Sequence, residues 1–411
     1  MRTLILSFLL IASCFSLTQS QCESISRPPQ FVLLSFDNCQ ELQTWSQISS
    51  FFEELNGHST QPIHFTFFLS AVGLLTEQNG NHYQNPAHLA NENRNTARDV
   101  NRSKFPERAR RLAYGGEFSD SGESNIGFGE DETTLLKRIA FLNQLHRQGN
   151  EIASHAVGHY DGSKWTEAMW RHEFEQYNYI IDHVAEVNEL TGPAAAQAKL
   201  NFSSRDLQSF RAPYLGKNEA LLRVLRDFGY QADSSDINMG YEDEVWPHKY
   251  SVDGDSDGAW NFGLSWVNAP SNSSIGRLHL PSMDYNWCYV QTNGCESDNQ
   301  ERTDAAVRDA RDMFIAYTNH FLKNYNSNRA PVVIGHHFFP YRGGVYNEAL
   351  LHFARIVCSQ PETQCVTFQD FAKYMNKLDP AVRELFQSAE FSASKYHPTL
   401  HDLTGINNPD E

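Results

Sequence analysis

The sequence predicts an α/β chain whose parallel sheet curls into a (β/α) barrel-like form. Three observations carry this. Short apolar runs alternate with amphipathic segments of helical spacing, and about seven such runs can be counted. The first two flank a helix, and a β-α-β opening implies a right-handed crossover between parallel strands. Polar residues of catalytic type fall repeatedly where an apolar run ends, which is where parallel α/β folds build their active face.

Taken in order, Phe31 to Phe36 is a continuous apolar run fit for a buried parallel strand, ended by Asp37, Asn38 and Cys39. Glu41 to Leu55 places Leu42, Trp45, Ile48, Phe52 and Leu55 near helical spacing, and Ile63 to Leu69 is a second strand. Thr76 to Phe128 is poor in apolar residues and reads either as a functional surface loop, with a turn at Ser124 to Gly129, or as a solvated excursion. Thr133 to Gln148 is a helix stopped by Gly149, and Glu151 to Ser154 a strand leading into His155 and His159. Trp165 to Leu190 reads as one long helix stopped at Gly192-Pro193. Leu207 to Phe210 is a short strand ending in Arg211-Ala212-Pro213-Tyr214, followed by a helix over Glu219 to Phe228 and a strand over Tyr230 to Asp233.

The stretch Asp236 to Ser274 is loop-rich. Its Asp253 to Gly258 segment resembles the start of a calcium loop, but the twelfth position is Leu264 and no helix follows, so a solvated acidic turn is the default. Arg277 to Pro281 is a strand before Met283-Asp284-Tyr285-Asn286-Trp287. A helix over Thr303 to Tyr325, a strand over Pro331 to Gly335 ending in His336-His337, a helix over Tyr346 to Val357 and a strand over Cys365 to Phe368 complete the alternation, with a loose tail after Ser392.

Arg2 followed by the apolar run Leu4 to Leu10 reads as a secretory signal, too short to span a bilayer. Processing after Ser20 leaves a secreted, extracellular or periplasmic protein, whereas lipidation at Cys14 would anchor it. No later stretch reads as a transmembrane segment. The formal charge of −17 argues against nucleic acid and anionic membrane surfaces as partners. Beyond the signal lie Cys22, Cys39, Cys288, Cys295, Cys358 and Cys365, an even set suited to disulfides in an exported chain. Proximity pairs Cys22 with Cys39, Cys288 with Cys295 and Cys358 with Cys365, one of several possible connectivities. Asn101, Asn201 and Asn272 begin glycosylation sequons, meaningful in a eukaryotic host.

His155 and His159 are four apart, about one helical turn, so both imidazoles can leave the backbone on one side and hold a cation such as Zn²⁺. The ordinary reading of such a pair is two exposed or hydrogen-bonded histidines; the other strand ends decide. Asp37 alone could cap a helix, Arg211 alone could be a structural ion-pair partner, and Trp287 alone could be core. Those readings do not explain why all of them, with Asp284, His336 and His337, land at strand ends.

In order along nearly the whole mature chain, these motifs resemble the polysaccharide deacetylases of the NodB-homology type, carbohydrate esterase family 4. Ser35-Phe36-Asp37-Asn38 resembles the family's Thr-Phe-Asp-Asp motif; His155 and His159 its His-Ser/Thr-x-x-His motif; Arg211-Ala212-Pro213-Tyr214 its Arg-x-Pro-Tyr motif. Asp284 to Trp287 resembles the motif that supplies an Asp and a Trp wall, and Ile334 to His337 the one ending in the acid His. The long loops lean toward the chitin-deacetylase-like branch. The resemblance implies a distorted (β/α)7 barrel with long inserted loops. It divides the chain into a signal peptide (1–20), an N-terminal arm (21–30), a catalytic domain (31–378) with insertions at 76–128 and 236–274, and a C-terminal helix and tail (379–411).

It also implies roles. His155, His159 and Asn38 would hold Zn²⁺, or Co²⁺ or another divalent cation; Asp37 would be the general base and Arg211 its partner. The Tyr214 backbone N–H would face the oxyanion beside Pro213, with Trp287 contacting sugar. His337 would be the acid and Asp284 would tune it. Neighbours on a strand point to opposite faces, so His336 competes for the acid role, although strand alignment favours His337. Two residues depart from the pattern: Asn38 stands where the family has a metal-binding Asp, and Ala156 where it has Ser or Thr. The expected activity is hydrolysis of N-acetyl groups on N-acetylglucosamine-containing glycans by a monomeric, metal-dependent enzyme. A carbohydrate-binding homologue impaired through Asn38 is the alternative, and a metalloamidase acting on another acyl amide is the third reading.

Overall fold

The computed structural model describes residues 26–56, 62–86, 126, 128–238, 245–292, 301–392 and 396–410. The signal peptide, Cys14, Cys22, Cys295, Asn101 and most of the 76–128 insertion lie outside them.

Strand β1 (Gln30–Asn38) is buried at every position, which explains its unbroken apolar sequence. Helix α1 (Leu42–Asn56) returns the chain to β2 (Thr66–Leu69). Helix α2 (Glu132–Arg147) starts on Asp131, whose carboxylate accepts from the Thr134 N–H, and leads to β3 (Glu151–Ser154). Helix α3 (Glu167–Asp182), capped by Thr166, is followed by β4 (Ser209–Phe210), α4 (Glu219–Asp227), β5 (Ala232–Asp233) and β6 (Trp260–Asn261). After the hairpin β7 (Trp266–Asn268) and β8 (His279–Pro281) come α5 (Asp284–Thr292), α6 (Asp304–Asn326), β9 (Val332–His337), α7 (Val345–Val357), β10 (Thr363–Cys365) and α8 (Phe368–Lys377).

The main sheet runs β10-β1-β2-β3-β4-β5-β6, with β9 also on β1, and every pairing is parallel. β1 is the hub: Gln30 to Val32 face β10, Val32 to Asp37 face β9, and Ser35 to Asn38 face β2. The ring closes without a full strand. Ser265 exchanges hydrogen bonds with Val333, and Met283 bridges Gly335 in parallel. The result is a distorted β/α barrel with one thin wall. Its strands all point one way, so the residues after Phe36, Ser154, Phe210 and Gly335 gather at one rim.

Several expectations are corrected. The strand near Arg277 is β8, which pairs antiparallel with β7 outside the main sheet. β6 lies inside the segment read as loop, too short to produce an apolar run. The helix after Trp165 breaks at His183 before a short turn at Val184–Val187. Asp284 opens a helix, and Phe368 begins α8 with Thr367 as its cap. Asp253 is bound by Arg223 (2.8 Å) and Arg226 (3.2 Å), so its carboxylate serves an ion-pair cluster. Cys358 and Cys365 are bonded, as proximity suggested, and Cys288 is also disulfide-bonded. Cys39 is not: it is a buried free thiol whose Sγ faces the carbonyls of Phe36 and Phe68, and burial pushes its pKa up.

Candidate active site

A cleft of about 210 Å³ opens at the strand carboxyl ends, lined by Asp37, His155, His159, Tyr214, Tyr285 and His337 among others. A larger groove, about 940 Å³, lies between α6, the β7–β8 hairpin and the C-terminal tail, and the strand-end residues are not among its lining. The chemistry is in the smaller one.

Asp37 and Arg211 form its floor. Arg211 Nη1 donates to Asp37 Oδ1 at 2.7 Å, with both side chains almost wholly buried. Its Nη2 donates to Ser234 Oγ (2.8 Å), its Nε to the Ser234 carbonyl (3.3 Å), and the guanidinium lies over the Phe68 ring at 4.3 Å. Such a buried pair survives only with its remaining polar groups satisfied, which Ser234 provides. Gly335 makes the room, since a Cβ there would stand 2.7 Å from Arg211 Nη1. The backbone after Arg211 is also held: the Ala212 N–H donates to Ser235 Oγ at 2.7 Å. Pro213 is buried behind this turn, and Tyr214 takes the left-handed conformation (φ 57°) that brings it to the cleft.

His155 follows β3 directly. Its Nδ1 hydrogen-bonds the Arg211 carbonyl at 2.7 Å. A carbonyl can only accept, so Nδ1 carries the proton and Nε2 presents its lone pair. The pair does not sit on a helical turn as its spacing suggested. Ala156 and His159 both have positive φ (60° and 57°), and a loop brings the two rings to 5.0 Å. That loop is gripped by Glu173 of α3, whose Oε1 accepts from Val157 N (2.8 Å) and Gly158 N (3.1 Å) while Oε2 accepts from Tyr83 Oη (2.8 Å). Burial raises the Glu173 pKa to about 7. Burial, with a lesser push from Arg211, lowers His155 to about 3; burial and the neighbouring His155 drive His159 well down. Both imidazoles are therefore neutral.

β9 supplies the opposite character. His337 Nδ1 lies 2.8 Å from Asp284 Oδ1, and its backbone N–H also donates to that carboxylate. Burial alone would lower the His337 pKa, but the charge and hydrogen bond of Asp284 carry it above the ordinary value. His336 points the other way, as strand alternation requires. Its Nε2 meets Tyr317 Oη at 3.0 Å inside the core, and burial lowers its pKa, so it does not join the cleft.

Asn38, at φ 73°, accepts from Ser70 Oγ at 3.0 Å through its amide oxygen. Among the described residues no three His, Cys, Asp or Glu side chains gather into a metal-holding group. The donor set fits a divalent cation in kind: His155 offers a defined lone pair, His159 is neutral beside it, and an amide oxygen is available at Asn38. It brings no formal negative charge, because two neutral imidazoles and an amide carry none, and the Asp37 carboxylate is turned to Arg211.

Trp287 does not wall the cleft; it is fully buried in the core, and the same helix turns Tyr285 and Asn286 toward the site. Sequence reasoning also missed Glu173, Ser70 and Ser234. Glu173 left a signal, since it occupies the apolar stripe of α3 between Trp170 and Tyr177, where a carboxylate needs a reason.

No family model and no curated protein sequence matches the chain. Among solved structures it is similar to a protein from Mycobacterium smegmatis described as a polysaccharide deacetylase (14% identity, 92% of this chain and 100% of that one, TM-score 0.47). It is also similar to a family 4 carbohydrate esterase from Streptomyces lividans in complex with acetate (11% identity, 79% and 88%, TM-score 0.34). A CE4 family pseudoenzyme from Bacillus anthracis is similar as well (8% identity, 80% and 60%, TM-score 0.33).

Proposed function

We propose that the protein is an exported, metal-dependent amidohydrolase that removes N-acetyl groups from N-acetylglucosamine-containing glycans and releases acetate, with 31–378 as its catalytic unit. One observation carries the reading: a buried, Arg-held carboxylate and a carboxylate-backed histidine face one cleft that also holds two neutral imidazoles.

Each residue then has a task. Asp37, oriented by Arg211, takes a proton from the attacking water. The Tyr214 backbone N–H faces the oxygen on which charge develops. His337, protonated through Asp284, gives its proton to the departing amine as the C–N bond breaks. The acetyl carbon keeps the water oxygen and leaves as acetate. His155, His159 and Asn38 are the residues that would hold Zn²⁺ or a similar cation, which when bound acidifies a water and polarises the acetyl carbonyl. Among the described residues no helix is long and apolar enough to cross a membrane. The chain's net charge of −17 suits a product that carries a new ammonium group.

The neutral amide at Asn38 favours one rival, a glycan-binding protein without turnover. Acetate release from N-acetylated chito-oligomers, measured with and without added Zn²⁺ or Co²⁺, separates the two. The expectation is cation-stimulated release that falls about 10³-fold in Asp37→Asn while sugar binding persists. Tight sugar binding with no acetate at any cation concentration leaves only the binding protein.

A further inference from the structure

We propose that the groove of about 940 Å³ on the flank of the barrel is a second binding site, and that it takes a neutral oligosaccharide. Its volume lies within the roughly 300–1,000 Å³ of pockets that enclose small-molecule ligands. The residues that line it and those that line the strand-end cleft have no member in common, so the two sites are separate.

The hairpin supplies a flat surface. Asn268 pairs with His279 and Trp266 with Pro281, so Trp266, Asn268 and His279 share one face of the two strands. The Trp266 and His279 rings stack there, with centroids 4.8 Å apart and planes 17° apart. His279 Nδ1 lies 2.6 Å from Asn268 Oδ1, which pins the imidazole against the indole. Trp266 is nevertheless only partly buried, although it is a large aromatic on a strand. The other side is also tied in place. Asn326 Nδ2 of α6 donates to the Pro398 carbonyl at 3.3 Å, and Asn319 Nδ2 to Asn408 Oδ1 at 3.5 Å. These bonds hold the tail to α6, so the walls are set before a ligand arrives.

The lining decides the class of ligand. Among the described residues it offers one fixed positive charge, Lys323, and one fixed negative charge, Asp410, which Arg277 faces at 3.9 Å. Burial lowers the His320 pKa to about 3, and burial with the charge of Lys323 lowers that of His279. A phosphate or sulfate group would find no cluster of cations. No three His, Cys, Asp or Glu side chains among the described residues gather to hold a metal. An acyl chain would dehydrate the carboxamides of Asn268, Asn319, Asn326 and Asn408 without giving them a partner. A neutral sugar suits both halves of the groove. The C–H face of a pyranose ring lies flat on the stacked aromatic pair, and its hydroxyls meet carboxamides that both donate and accept.

Titration of the ¹⁵N-labelled full chain with neutral tetrasaccharides, followed through the indole N–H signals by NMR, tests this. The probes are the N-acetylglucosamine tetramer and cellotetraose, with a neutral tetrapeptide as the contrast. The Trp266 signal, identified by its absence from Trp266→Phe, moves with at least one of the sugars and not with the peptide. Asn319→Trp, which fills the groove, abolishes that movement while the remaining indole signals keep their folded positions. By calorimetry Trp266→Ala weakens the groove-bound sugar about tenfold, and Trp266→Phe weakens it less than about threefold. A Trp266 signal that ignores both sugars, moves with the peptide alone, or moves unchanged in Asn319→Trp overturns the proposal. Acetate release enters neither readout, so the outcome is independent of the deacetylase reading.

Discussion

His155 and His159 face the same cleft as His337 but in a different charge state. The first two hang on a loop after β3, and burial holds them neutral, His155 with a pKa of about 3. His337 ends β9, two strands away across β1 and β2, and the Asp284 carboxylate raises its pKa above the ordinary imidazole value. His336, its neighbour in sequence, is lowered by burial. The difference lies in the second partner. His155 faces a carbonyl through Nδ1, which fixes a tautomer but adds no charge, and His337 faces a carboxylate. One cleft thus presents bases for a cation at one wall and an acid for a leaving amine at the other, a division set by environment and not by residue type.

Within this comparison, the largest effect is expected from making the two walls alike. Asp284→Asn removes the carboxylate behind His337, so its pKa falls and the acid is lost at neutral pH. The turnover number drops about 10²-fold, and the basic limb of the pH–rate profile moves to lower pH. The same shift has a sign in stability. A histidine with a raised folded pKa contributes most below its unfolded value and loses that contribution as pH rises through the folded one. The stability difference between wild type and Asp284→Asn therefore shrinks with rising pH in urea unfolding; a difference that grows would contradict the assignment.

Next in size is the charge missing from the other wall. Asn38→Asp supplies the anionic donor, and Zn²⁺ affinity measured by titration rises about tenfold or more. Unchanged affinity would remove Asn38 from the ligand set. Furthest from the chemistry, an effect on stability belongs to the support beneath the His loop. Glu173→Gln keeps an acceptor for Val157 and Gly158 and costs less than about 1 kcal/mol, whereas Glu173→Leu strands buried donors and costs about 2–4 kcal/mol. Equal costs in urea unfolding would mean that Glu173 acts through packing alone.

Much of this could be read in the sequence because buried parallel strands write themselves as unbroken apolar runs, and their polar ends mark one rim. Asp37, His155, Arg211 and His337 were found that way. What escaped did so for physical reasons. β6 is too short for a periodicity, and its place in the sheet is fixed by neighbours distant in sequence. The segment from Asp284 to Thr292 has no marked apolar face, so the helix leaves no signal, and neither do the inward turn of Trp287 and the turn of Tyr285 toward the cleft. Cys39 offered the right residue type for a disulfide, but its Sγ is enclosed by the carbonyls of Phe36 and Phe68.

The different charge states can be measured directly with ¹⁵N-labelled imidazoles followed by NMR through a pH titration of the full chain. The account predicts that at pH 6.5 His155 is neutral with its proton on Nδ1, that His159 is neutral, and that His337 is doubly protonated. A neutral His337 at that pH, or a His155 that titrates near the ordinary histidine value, would contradict it.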